Sequence, residues 1–139
     1  MVHSDGDVTE LLPDLIELGV QILNPLQPEA MDMVTVKRQF GRDLCLNGGV
    51  STQLTLPRGT AKEVRREVEA CLSVLGKGGG YVLSPAKAIM TDVPLENAAA
   101  LIDTMVDQPE LTGLRGAQSM DEYSDALRQV YVEFHPKRN

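Results

Sequence analysis

The 139-residue sequence has no apolar run close to the roughly 20 residues that a membrane-spanning helix needs. It also has no apolar stretch after Met1 of the kind a signal peptide carries, because His3, Asp5 and Asp7 arrive at once. A cytoplasmic protein without a membrane partner is therefore expected. Basic residues are in short supply, with 13 Lys and Arg against 20 Asp and Glu, a net charge of −7 and a pI near 4.7. Nucleic-acid phosphates favour a basic face, so non-specific nucleic-acid binding is excluded as an expectation. Cysteine is scarce as well. Cys45 and Cys71 lie far apart among apolar neighbours without metal-ligand spacing, which reads as two reduced, buried thiols. The glycine-rich phosphate loops GxGxxG and GxxxxGK[ST] are absent after every candidate strand. What is present is a hydrophobic content of 42%, enough for the core of one compact domain.

The apolar patterning sets up repeated strand–helix units. Residues 1–6 read as the end of a first strand. Asp7 is positioned to cap a helical turn with Glu10 as its capping-box partner, and Pro13 suits the first turn of a helix over 13–18 that Gly19 ends. Residues 20–25 form a second strand, 26–28 a turn, and about 31–40 a helix stopped by Gly41. A third strand over 43–47 runs into Gly48, Gly49 and Val50, and 51–59 continues as a loop. Thr60 and Glu63 form a T-x-x-E capping box, and Val64, Val68, Cys71, Leu72 and Leu75 follow at helical spacing up to Gly76. Gly78, Gly79 and Gly80 lead into a fourth strand, Tyr81, Val82 and Leu83, then a loop through Ser84, Pro85, Ala86 and Lys87, and a helix from Leu95 to about Val106. Beyond it come Pro109, a polar linker over 112–118 and an amphipathic helix from about Ser119 that carries Tyr123, Leu127, Val130, Tyr131 and Phe134. The domain reading is therefore a βα domain over 1–107 and a linker with a terminal helix over 108–139.

Alternation of this kind implies an α/β fold with a parallel sheet and right-handed crossovers. Short, nearly all-apolar strands suit a sheet buried on both faces. Four such units make half of an eight-unit (β/α)8 barrel, the TIM barrel, or a small open sheet. The brief first strand and the missing phosphate loops favour the half barrel.

In a parallel barrel, residues just past the strand ends converge on one face. Here they are His3, Ser4 and Asp5; Asn24 and Gln27; Asn47 with the Gly48–Gly49 backbone; and Ser84 and Lys87. The candidate ligand-binding residues are His3, Asp5, Asn24, Asn47, Ser84 and Lys87. Each also has a plainer reading. Asp5 and Ser4 could bond backbone amides, Asn24 and Asn47 could hold loops closed, and Lys87 could be a solvated charge. His3 has no partner of metal-ligating type nearby, so no metal is expected. His135 sits in the basic tail HPKRN and reads as solvated.

Four stretches in order, HSDG, LLPDLIELGVQILNPLQ, LNGGVSTQLTLPRGTAKEV and GGGYVLSPAKAIMTDVPLENAAALI, resemble the uroporphyrinogen decarboxylase family. The resemblance runs from about Val2 to Val106 and corresponds to the C-terminal half of that family's barrel, so the chain reads as a fragment or a truncated gene product. It implies two activities. The decarboxylases remove acetate carboxyls from a tetrapyrrole without a cofactor, in a cleft at the strand ends. The corrinoid-linked methyltransferases of the same family use zinc. A non-catalytic binding barrel is a third possibility. By resemblance, the decarboxylases' arginines, aspartate and tyrosine belong to the other half of the barrel. Lys87 occupies the position of their last-loop histidine, where it can pair with a substrate carboxylate, and Asp5 can accept from a pyrrole N–H. His3 matches the first ligand of the methyltransferase zinc motif, but Asp5 and Lys87 stand in place of its two cysteines. The implied partners are a small molecule (tetrapyrrole or methyl donor) and either the missing half of the barrel or a second copy of the chain.

Overall fold

The computed structural model describes residues 1–107. The linker and terminal helix expected over 108–139, with His135, lie outside the described residues. The described elements are β1 (Val2–His3), a 3-10 turn (Thr9–Leu11), α1 (Leu12–Glu17), β2 (Ile22–Leu26), α2 (Met33–Phe40), β3 (Cys45–Val50), α3 (Thr55–Arg58), α4 (Ala61–Val74), β4 (Tyr81–Pro85) and α5 (Leu95–Asp107). The strands form one parallel sheet in the order β1-β2-β3-β4. Sequential strands are thus spatial neighbours, the order a singly wound (β/α) barrel has.

Local chemistry sets most of the boundaries. The Thr60 box forms as expected. The Thr60 hydroxyl oxygen accepts from the Glu63 N–H at 3.3 Å, and the Glu63 carboxylate accepts from the Thr60 N–H at 2.8 Å. Behind it, Val64, Val68, Cys71 and Leu72 are buried on one side of α4, where burying each Val or Leu contributes about 1.5–3 kcal/mol. α2 starts two residues later than the sequence suggests. Asp32 is its cap, and its carboxylate accepts from the Val34 and Thr35 N–H groups at 3.1 Å each.

The Asp7–Glu10 capping box does not form. The residue at the cap of the 3-10 turn is Val8, which has no side-chain bond to give, and Asp7 instead accepts from the Thr9 N–H at 2.9 Å and the Thr9 hydroxyl at 2.6 Å. The stretch expected to be loop over 51–59 contains α3. The Ser51 hydroxyl oxygen holds its start by accepting from the Leu54 and Thr55 N–H groups at 3.0 and 3.2 Å. At the other end, the fully buried Asn97 of α5 donates to the Leu56 and Gly59 carbonyls, both at 2.8 Å, and so ties α5 to α3.

Register explains the two faces of the sheet. Leu23, Leu46 and Tyr81 lie side by side on neighbouring strands and are all fully buried in one core with α2, α4 and α5. The alternate residues Asn24, Asn47, Val82 and Ser84 are only half-buried. The expectation of burial on both faces therefore fails among the described residues. Strand side chains alternate in direction, and the second face carries His3, Asn24, Asn47 and Ser84, which are polar.

β3 needs its glycine pair. Gly48 has φ +130°, and a Cβ there would lie 2.8 Å from the Leu26 backbone N and O. Gly49 has φ +100°, and its Cβ would lie 2.6 Å from the Tyr81 hydroxyl. That hydroxyl is buried and donates to the Gly48 carbonyl at 2.6 Å.

Candidate functional site

All six residues expected at the strand ends take part in bonds that cross the sheet. His3 Nδ1 donates to Asn24 Oδ1 at 2.6 Å. Asn24 Nδ2 donates to Asn47 Oδ1 at 2.5 Å, and the Ser84 hydroxyl donates to the same oxygen at 3.1 Å. The row thus draws one polar side chain from each of the four strands. Its geometry follows from pairing. His3 lies opposite Asn24, and Asn47 opposite Val82, with Ser84 two residues along on the same face. No long side chain or loop rearrangement is needed to bring them together.

Asp5 and Lys87 form a second group. Lys87 Nζ lies 3.4 Å from Asp5 Oδ2, joining the segment after the first strand to the segment after the last one. β1 and β4 are the two outer strands of the sheet, so the pair links its opposite edges. The side chains remain 61% and 52% exposed, so the pair is a weak, solvent-screened contact. Gln27, from the β2–α2 turn, accepts from the Gly6 N–H at 3.3 Å and fixes the loop that carries Asp5. Asn47 Nδ2 and His3 Nε2 have no hydrogen-bond partner among the described residues.

A different polar cluster lies on the helix side of the same strand ends, and sequence reasoning missed it. Ser51 is buried just past β3. Its hydroxyl makes a short hydrogen bond to Glu29, and its N–H donates to Glu67 Oε1 at 3.3 Å. The second carboxyl oxygens of Glu29 and Glu67 are buried without a partner among the described residues. Burial pushes Glu67 up to about 7; bonds from Thr55 and Ser51 oppose the rise, and the Glu29 charge adds to it. One signal was legible. Glu67 falls between Val64 and Val68 on the apolar face of α4, where a charged side chain is out of place. Glu29, in a turn, carried no such signal.

The remaining perturbed groups lie away from the polar row. Cys71 and Tyr81 are fully buried, and burial raises both. Lys37, which donates to the Gly79 carbonyl at 2.7 Å, is lowered to about 8 by burial, with Cys45 acting in the opposite direction. Both cysteines are free thiols, and neither belongs to the polar row. No group of three or more His, Cys, Asp or Glu suited to a metal ion occurs among the described residues. No helix of the described residues is long and apolar enough to cross a membrane.

Four consecutive βα units on one parallel sheet, with a row of polar side chains across the strands and a further pair past the first and last of them, define part of a (β/α) barrel. A family profile described as "Uroporphyrinogen decarboxylase (URO-D)" matches residues 1–107, and the chain belongs to that family. Its sheet is accordingly a portion of the family's TIM barrel. The chain is 32% identical over 75 residues to a uroporphyrinogen decarboxylase of Legionella pneumophila strain Paris, and 30% identical over 74 residues to that of strain Corby. Each match covers 53% of this chain but only 20% of the relative. No solved structure matches.

Proposed function

We propose that this chain forms part of the substrate cleft of a decarboxylase acting on a carboxylated tetrapyrrole. The observation that carries the reading is the meeting of His3, Asn24, Asn47 and Ser84 in one row beneath the Asp5–Lys87 pair. A carboxylated tetrapyrrole offers carboxylates at its rim and pyrrole N–H donors at its centre. Lys87 suits the first and Asp5 the second, and the ligand would exchange their mutual contact for two of its own. In such a cleft a pyrrole carbon takes a proton. The exocyclic C–C bond then breaks with its electrons passing into the cationic ring, carbon dioxide leaves, the exocyclic carbon takes a proton to become a methyl group, and the ring carbon gives back the proton it took. In this reading the chain's own residues bind and orient the substrate.

β1 and β4 each pair with one strand only among the described residues. A complementary half barrel or a second copy of the chain would satisfy those edges and complete the cleft. Two free thiols suit a reducing cytoplasm. The methyltransferase alternative fits less well. It calls for thiolates at the positions of Asp5 and Lys87, and an ammonium group 3.4 Å from Asp5 is a poor neighbour for a cation.

The test is equilibrium binding of an octacarboxylated porphyrin to the full chain, followed by Soret absorbance. Lys87→Ala should weaken binding about tenfold, the loss of roughly one charge-assisted contact. Equal affinity in both proteins would remove Lys87 from the site, and absence of binding would leave a barrel for some other ligand.

A further inference from the structure

The row across the sheet has a direction. Asn47 Oδ1 accepts twice, from Asn24 Nδ2 and from the Ser84 hydroxyl. With Asn24 Nδ2 committed to Asn47, the other end of that amide, Oδ1, faces His3 and can only accept. The imidazole nitrogen opposite it must then carry the hydrogen. We propose that this relay holds His3 as the Nδ1–H tautomer and so makes Nε2 the acceptor nitrogen of the candidate site, with Asn24 and Asn47 as positioning residues.

The arrangement matters because the two imidazole nitrogens are not equivalent, and the hydrogen bond made by one decides what the other can do. A neutral His3 locked in this way presents a lone pair to the cleft beside the Asp5–Lys87 pair. It would accept an N–H or O–H from the bound molecule, a role that rests on the ligand class proposed above. Ser84 polarises the far end of the relay from β4, so the state of His3 on β1 is set by residues on all four strands. The tautomer itself is a property of the free protein. It can be measured with no ligand present, and its failure would be separate from any failure to bind a tetrapyrrole.

The experiment is 15N–1H long-range correlation NMR of the full chain, labelled in histidine, at a pH where the imidazoles are neutral. His135→Gln leaves His3 as the chain's one histidine and assigns its signals. In that protein the His3 Nδ1 signal should lie in the protonated range and the Nε2 signal in the unprotonated range. Asn47→Ala does not touch His3, yet it frees the Asn24 amide to turn, so both signals should shift toward the average of the two tautomers. Asn24→Leu should do the same more strongly, and Asn24→Asp, which still accepts, should restore the Nδ1–H pattern. A protonated Nε2 in the otherwise unaltered protein would show that the relay runs the other way and overturn the proposal. So would an unchanged Nδ1–H pattern in Asn47→Ala and Asn24→Leu together.

Discussion

Asn47 and Ser51 lie in and just past the same strand, yet they anchor polar clusters of opposite character. The Asn47 row is half-buried to exposed, holds no carboxyl group, and is bonded from strand to strand. The Ser51 cluster is buried under α4 and gathers two carboxyl groups around one hydroxyl. On the open face, water can still reach polar atoms, so groups such as His3 Nε2 remain free at little cost. On the helix side, two carboxyl oxygens are buried without a partner among the described residues, and burial, with the Glu29 charge adding to it, raises Glu67. One cluster is the face on which a substrate is proposed to bind. The other joins the β2–α2 turn, the start of α3 and α4, and its protonation state bears on the stability of the fold.

The most disruptive way to probe this division is at Gly49, on the strand that separates the two clusters. Gly49→Ala adds a Cβ 2.6 Å from the Tyr81 hydroxyl at a φ of +100°. Both effects oppose folding, and together they should cost about 3–4 kcal/mol, read as a large fall in Tm by circular dichroism. A Tm within a few degrees of the parent would mean that β3 can move away from Tyr81, and that the wall between the clusters is soft.

Glu67→Gln sharpens the comparison from the buried side. The folded protein holds the Glu67 proton up to about pH 7, whereas the unfolded chain releases it near 4.5. The fold therefore carries the extra proton between those values, and stability falls as pH rises through that window before levelling off above it. Glutamine has no charge to bury. The variant should gain up to about 3 kcal/mol at pH 8 and little at pH 4.5, so its stability–pH curve should be flatter. Urea unfolding at the two pH values checks this, and equal gains at both would remove Glu67 as the source of the dependence.

Asn47→Ala is the matching change on the open face, with the smallest expected effect on stability. It removes two hydrogen bonds from a half-buried position, where water can replace them, so the loss should be about 1 kcal/mol or less. Its consequence should appear at His3 and in ligand affinity instead. A loss of several kcal/mol in urea unfolding would make the row a structural brace of the fold and weaken its reading as a binding face.

The residues of the open face were legible in the sequence because each follows a short apolar run, and such positions converge by the geometry of parallel strands. The α4 boundary was legible for a similarly local reason, since the Thr60–Glu63 box needs only neighbours in the chain. Other features depended on distant partners. α3 was missed because its start is held by Ser51, whose hydroxyl is itself fixed by Glu29 from another βα unit. The Asp7–Glu10 box was expected from spacing, but a single short turn left Asp7 better placed for Thr9.

By itself, then, the sequence determined the order of the four strands and of the helices other than α3, the family, and the set of polar residues offered near the strand ends. These rest on periodicity and short-range bonding, which act along the chain. The tertiary structure alone decided that His3, Asn24, Asn47 and Ser84 would bond in one directed row, that Lys87 would reach back to Asp5 across the sheet, and that Glu29 and Glu67 would share a buried space. Those outcomes depend on strand register and on how much water each face of the sheet retains, and neither quantity exists until the strands pair and the helices pack.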